Sequence, residues 1–286
     1  MNLLPNYFVI GAAKAASSSV CTLLGLHPDI FMVDCKEPCF FNDDAKFNGL
    51  GWTWYESLYL GSESCARRGE GSNRYSMKEL WPNTAQRIAE SCPNSKILYL
   101  VREPFSRIES VWMQMRSNGS IDAHPNFNEA VLSRPDIFVD STNYQSQLAV
   151  YRDLFPPSQI HVVFYEDFRH DATATMKRIF EFLEVRSDVE LSEQKSHLNA
   201  SEGKLVFSDG FMRIRRAKYL QPLKKLLPDH WKQKMAERFF RVPMSGRPVW
   251  REGTRAFVTE RLLKDSRELL VANGKPMSYW PFCTIR

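Results

Sequence analysis

A chain of 286 residues, 43% hydrophobic and 25% charged, has enough apolar material for one large domain or two small ones, and it lacks the bias of a disordered or fibrous protein. The net charge of +5 is too small to argue by itself for a polyanionic partner. The charge is uneven, however: from Ser201 onward there are 19 Lys+Arg against 8 Asp+Glu, either a solvated basic face or a surface for an acidic ligand.

In chain order, "NYFVIG" is a short apolar run ending at Gly11, and a helical pattern follows over Ser17–Gly25, which predicts strand, turn, helix. "HPDIFMV" predicts a second strand. "GLGWTWYESLYLG" predicts a loop and short helix, whose Trp52, Trp54 and Tyr55 belong either to the core or to a substrate site. "ARRGEGSNRYS" is turn-rich around a strand end. "WPNTAQRIAESCPNS" predicts a helix closed by Pro93, and "KILYLV" is the cleanest buried strand. A helix follows with Pro104 in its first turn and Gly119 past its end. The polar stretch Ser120–Asp140 predicts a mobile lid. "NYQSQLAVYRDLF" predicts a helix, "QIHVVFYEDF" a strand and "ATATMKRIFEFLEV" an amphipathic helix. Beyond Asp188 three basic helices are expected, near Tyr219–Leu227, near His230–Phe239 and over Thr254–Ala272. Strands alternating with helices predict an α/β fold, a three-layer arrangement with a central parallel sheet flanked by helices.

The six cysteines, Cys21, Cys35, Cys39, Cys65, Cys92 and Cys283, contain no C-x-x-C pair and have no histidine at zinc-ligand spacing. Reduced thiols are therefore expected. No apolar run approaches the ~18 residues of a membrane span, and "MNLLPNYFVIG" lacks the basic n-region of a signal peptide. A cytoplasmic protein is the expectation.

"FVIGAAKAASSSV" resembles a phosphate-binding loop with its lysine displaced. A Walker loop reads G-x-x-x-x-G-K-(S/T). With Gly11 as its first glycine, Ala16 stands at the second, Ser17 at the lysine and Ser18 at the hydroxyl, while Lys14 lies three residues early. A strand feeding a helix N-terminus makes an anion site from unpaired N–H groups and the helix dipole. The other reading of the serines is an ordinary helix N-cap. A kinase or NTPase needs a lysine on the β/γ-phosphates and an acidic magnesium ligand. Here the lysine is absent from that place and "KILYLV" is followed by Arg102. A leaving phosphate bound without metal suits Lys14 better. Nucleic-acid binding through the basic C-terminal part is a third reading, one that leaves the N-terminal motifs unused.

Together these stretches resemble the sulfotransferases that use 3′-phosphoadenosine 5′-phosphosulfate (PAPS). The first family signature, G-x-x-K-x-G-T-(T/S)-x-L, is matched by Gly11, Lys14, Ala16, Ser17, Ser18 and Val20. The second, R-(D/E)-P-x-x-R-x-x-S after a strand, is matched by Arg102, Glu103, Pro104, Arg107 and Ser110. "KEPCFF" is similar to the K-E-x-x-F-F stretch of the heparan-sulfate (carbohydrate) type, and the run from Asn143 to Val185 follows the family's helix–strand–"YEDF"–helix pattern. The match spans roughly Asn6 to Val185.

The resemblance implies transfer of a sulfuryl group from PAPS to a hydroxyl or amine of a carbohydrate or small metabolite, with adenosine 3′,5′-bisphosphate as product and no metal required. It implies Lys14 at the bridging oxygen and 5′-phosphate, stabilising the leaving charge. It implies Gly11, Ala15, Ala16, Ser17 and Ser18 around that phosphate, and Arg102 and Ser110 on the 3′-phosphate. Arg247 in "SGRPVW" is the candidate for a basic loop closing over the nucleotide. Glu37 of "KEPCFF" is the expected general base, since no histidine lies between His27 and His124; Lys36 beside it is the candidate for neutralising the sulfuryl group. A single sulfotransferase domain is implied, with a PAPS-binding core over residues 1–187 and a basic helical part over 188–286. No nucleic-acid partner and no integral membrane segment are implied. Three positions depart from the family: Ala16 replaces a glycine, Gly71 a lysine and Asn73 a proline.

Overall fold

The structure is a computed structural model that describes residues 3–35, 37–189, 205–210, 241–243 and 246–285. The chain divides into two compact units, one of residues 1–107, 140–198 and 261–286, the other of residues 108–139 and 199–260.

The first unit is built on a parallel five-stranded sheet. Its strands are β1 (Tyr7–Gly11), β2 (Ile30–Met32), β3 (Arg67–Gly71), β4 (Lys96–Val101) and β5 (Ile160–Phe164), in spatial order β2-β3-β1-β4-β5. β1 is central, with Phe8 opposite Glu70 on one side and Ile97 on the other. Every residue of β1 and all but the first of β4 are buried. Such strands are covered on both faces, which is why they read as unbroken apolar runs. Helices α1 (Ser17–Gly25), α2 (Gly51–Ser57), α3 (Thr84–Ser91), α7 (Tyr144–Arg152), α8 (Tyr165–His170) and α9 (Ala172–Phe182) lie in the same unit. The α/β expectation with a central parallel sheet holds.

"QIHVVFYEDF" is not one strand. It is β5 followed directly by α8 from Tyr165. Glu166 and Asp167 fall in the first turn of α8, where carboxylates favour a helix start, and Arg169 and His170 fall in its last. The C-terminal helix is found as α10 (Glu252–Ala272). The helices expected near Tyr219–Leu227 and His230–Phe239 lie outside the described residues.

In the second unit, Ser120–Asp140 is no plain polar loop. It contains α5 (Phe127–Ser133), capped by Asn126 accepting from Glu129 N–H, and the short α6 (Pro135–Phe138). Phe127, Ala130, Val131 and Phe138 are buried there, so the prolines at 125 and 135 punctuate helices. The long α4 (Pro104–Ser117) begins in the first unit and continues into the second, and β6 (Leu205–Phe207) pairs antiparallel with β7 (Arg241–Pro243). No described helix is long and apolar enough to cross a membrane.

Candidate functional site

The loop from Gly11 to Ala16 leaves the C-terminal end of β1, the usual ligand side of an open parallel sheet. Gly11 has φ +142°, and a Cβ there would lie 2.4 Å from Ser76 Oγ, so only glycine fits. The loop backbone is fixed on several sides. Ala12 N–H donates to Leu100 O at 2.7 Å on β4. Arg107 Nε donates to Ala13 O at 3.0 Å, and Arg102 Nη1 donates to Lys14 O at 3.2 Å. Arg107 is itself held by the Ser141 and Thr142 hydroxyls and is almost fully buried, while the Arg102 guanidinium lies 4.4 Å from the Tyr165 ring centre.

Lys14 and Ala16 both adopt left-handed backbone, with φ +70° and +69°. Ala16 is the N-cap residue of α1. The N-cap is not a serine, and it makes no side-chain capping hydrogen bond among the described residues. That disposes of the N-cap reading and leaves the first-turn N–H groups directed at the loop mouth. Ala15 is fully buried, Ser17 is buried and Ser18 is exposed.

Ser17 and Ser18 open onto a cleft of about 440 Å³ that Cys21 and Thr22 of α1 also line. The segment after β2 and the end of β3 line it as well, with Glu37 and Asn73 among their residues. Glu37 is half-buried and also left-handed, with φ +54°. Asn73 Nδ2 donates to Glu37 Oε1 at 2.7 Å. Gly71, at the family's lysine position, is packed so closely that a Cβ would lie 2.6 Å from Cys21 Sγ and 3.4 Å from Met32 Cε. Burial pushes the Cys21 thiol up to about 12, helped by Glu70 and Glu37, and raises Cys39 as well, so neither supplies a thiolate nucleophile.

Beneath the cleft lies a group that sequence reasoning missed. Glu70 is fully buried in β3 and accepts three O–H donors: Tyr55 Oη at 2.6 Å, Tyr75 Oη at 2.8 Å and Ser72 Oγ at 2.6 Å. Burial raises its pKa, and these hydrogen bonds oppose the rise. Two of the donors hold the loop that follows Glu37: Cys39 N–H donates to Ser72 Oγ at 3.0 Å and Phe41 N–H to Tyr75 Oη at 3.4 Å. Phe40 stacks on Tyr55 at 4.2 Å, and Trp52 packs against Phe40 at 5.1 Å, so this aromatic group serves the core beside the loop.

The first unit thus brings together Gly11, Lys14, Ala15, Ala16, Ser17, Ser18 and Arg102, with Glu37 lining the same cleft as the serines. Ser110, buried on α4, and Arg247, exposed beside Gly246, belong to the second unit. Lys36 lies outside the described residues. Arg107, Asn73 and Glu70 are the additions. Arg107 stood in the second signature, whereas the other two had no signal beyond their place in "GEGSNRYS".

The chain is 32% identical over 105 residues to a membrane-associated sulfotransferase of Dictyostelium discoideum, covering 36% of this chain and 21% of that protein. It is 24% identical over 226 residues to a bifunctional heparan sulfate N-deacetylase/N-sulfotransferase of Drosophila melanogaster, covering 68% of this chain and 21% of that one. It therefore spans about a fifth of the length of these relatives. A sulfotransferase structure from Alicyclobacillus acidocaldarius shares the fold, with a TM-score of 0.66 at 22% identity over 97% of this chain and 99% of that one. The profile of the sulfotransferase domain matches residues 4–238, from before β1 to beyond the second signature, and on that match the chain belongs to the sulfotransferase domain family.

Proposed function

We propose that this sulfotransferase takes its sulfuryl group from PAPS and passes it in line to a hydroxyl or amine of a carbohydrate or small metabolite. The observation that carries the reading is a single cleft lined both by Ser17 and Ser18, at the uncapped start of α1, and by a carboxylate, Glu37. A phosphate at the loop would meet N–H groups, two hydroxyls and the helix dipole. Lys14 would neutralise charge as the bridging oxygen leaves. Glu37 would take the acceptor proton, leaving adenosine 3′,5′-bisphosphate and the sulfated product. Arg102 and Ser110 would hold the 3′-phosphate, with Arg247 contributing from the C-terminal part. The whole chain would act as one sulfotransferase domain, and its six unpaired thiols favour a reducing compartment such as the cytoplasm.

Calorimetry with adenosine 3′,5′-bisphosphate, ATP and a DNA duplex tests the donor. The bisphosphate should bind without magnesium and clearly more tightly than 5′-AMP. Magnesium-dependent ATP binding with no bisphosphate binding would favour a kinase, and steeply salt-dependent DNA binding a nucleic-acid protein. With radiolabelled PAPS, Lys14→Ala should cut turnover about 100-fold or more. Glu37→Gln should cut it by a similar factor while bisphosphate affinity stays nearly intact.

A further inference from the structure

We infer that Asn73 is a positioning residue for the base: its amide fixes one carboxylate oxygen of Glu37 so that the other faces the acceptor. This rests on the reading of Glu37 as the base. Three observations carry it.

The first is the bond itself, 2.7 Å from Asn73 Nδ2 to Glu37 Oε1. An ionised carboxylate only accepts, so the amide must turn its NH₂ toward it. Among the described residues no other hydrogen bond or ion pair of Glu37 accompanies it, although its charge also raises the Cys21 and Cys39 thiols.

The second is the rigidity of the donor. Asn73 opens a 3₁₀ turn, Asn73–Ser76, directly after β3. Ser72 N–H donates to Val9 O at 3.1 Å on the central strand, Tyr75 N–H to Ser72 O at 3.1 Å, and Tyr151 Oη to Tyr75 O at 2.8 Å. The Asn73 backbone is thus tied to β1 and α7. Glu37, by contrast, sits in a segment without regular structure, and its left-handed backbone leaves the carboxylate's direction to its side-chain torsions. A fixed donor against a side chain with three free torsions is what orienting a base requires.

The third is location. Asn73 and Glu37 line the same cleft as Ser17 and Ser18, so a carboxylate fixed by this amide is fixed in the cleft where an acceptor would meet the phosphate loop. The family's proline at this position has no amide to donate, so this device belongs to this chain.

The reaction with water needs no identified acceptor and gives the cleanest test. Water oxygen bonds to sulfur, the bond from sulfur to the bridging oxygen breaks, Glu37 receives the proton, and sulfate and adenosine 3′,5′-bisphosphate are released. Sulfate release from radiolabelled PAPS by the full chain is measured for wild type, Asn73→Ala, Asn73→Asp, Glu37→Gln and the Asn73→Ala/Glu37→Gln double variant. Asn73→Ala should lower kcat about tenfold to a hundredfold, the range of a hydrogen bond to a charged group, with KM for PAPS and bisphosphate affinity within about twofold. Asn73→Asp, the same shape with a like charge in place of the donor, should fall further than Asn73→Ala. In the Glu37→Gln background Asn73→Ala should cost nothing more. If Glu37→Gln leaves sulfate release unchanged, or wild type releases none, the base reading fails and this inference falls with it. If Glu37→Gln lowers kcat but Asn73→Ala does not, or if Asn73→Ala costs as much in the Glu37→Gln background, the base stands and Asn73 has no positioning role.

Discussion

At the scale of single residues, Ala16 is one of the three positions where this chain departs from the family signature. Its φ of +69° lies in the left-handed region, which costs an L-residue about 1–2 kcal/mol, and glycine occupies it without that penalty. Ala16→Gly should therefore stabilise the fold by about 0.5–1 kcal/mol after the extra freedom glycine gains in the unfolded chain is subtracted. Thermal unfolding should show a rise of a few degrees. A lower Tm would mean that the Ala16 methyl makes packing contacts worth more than the backbone penalty. The strand, turn and helix around Gly11 were legible from sequence, because an apolar run ending at glycine before a helical pattern reads as that unit. The handedness at Ala16 was not legible, since alanine carries no turn signal. Nor was the role of Asn73, because a lone asparagine after a strand reads as turn chemistry.

At the scale of elements, β3 and the turn after it form a frame for the loop that carries Glu37. Glu70 supplies the acceptor for three hydroxyls, and two of those hydroxyls receive the backbone of Cys39 and Phe41. Removing the carboxylate leaves buried donors without an acceptor, each costing about 1–3 kcal/mol. Glu70→Ala should lower the unfolding free energy by about 3 kcal/mol or more, and Glu70→Gln by less, because its amide oxygen still accepts. Denaturant unfolding checks both; equal and small losses would mean that water takes over the hydroxyls. The sheet strands were readable as continuous apolar runs, but Glu70 sits in "GEG", which reads as a solvent-facing turn. Only the pairing of β3 against β1 buries it. Likewise "YEDF" looked like more strand because Phe164, Tyr165 and Phe168 suit a sheet. The carboxylates between them turn the chain into α8.

At the scale of the whole molecule, Asp265 is one contributor to the pH dependence of stability, beside His161, whose pKa burial lowers to about 4. Asp265 on α10 accepts from the Gln145 and Ser146 N–H groups at 3.1 and 2.8 Å, capping α7. Burial outweighs those bonds and pushes its pKa from 3.8 up to about 6. The fold therefore favours the protonated form. This group's contribution is fully present below about pH 3.8 and is lost as pH rises to about 6, a difference of about 3 kcal/mol. Asp265→Asn keeps an accepting oxygen and removes the titration, so the stability of wild type relative to the variant should fall between pH 4 and 6 and stay level above. Denaturant unfolding across that range checks it. A difference that grows with pH would show that the capping bonds outweigh burial. This link was not legible from sequence, because it joins residues 120 positions apart.

The two guanidinium groups that meet the phosphate loop have a consequence for how any alanine scan of this protein is interpreted. Arg102 and Arg107 grip the main-chain oxygens of Lys14 and Ala13, so each is mortar for the loop whatever it does for a ligand. Truncating Arg102 releases Lys14's own carbonyl, and any loss of nucleotide affinity then mixes a vanished contact with a slackened lysine. On the proposed role of Arg102, a cycle that pairs the arginine with the 3′-phosphate, by comparing nucleotides with and without it, separates the hand from the mortar.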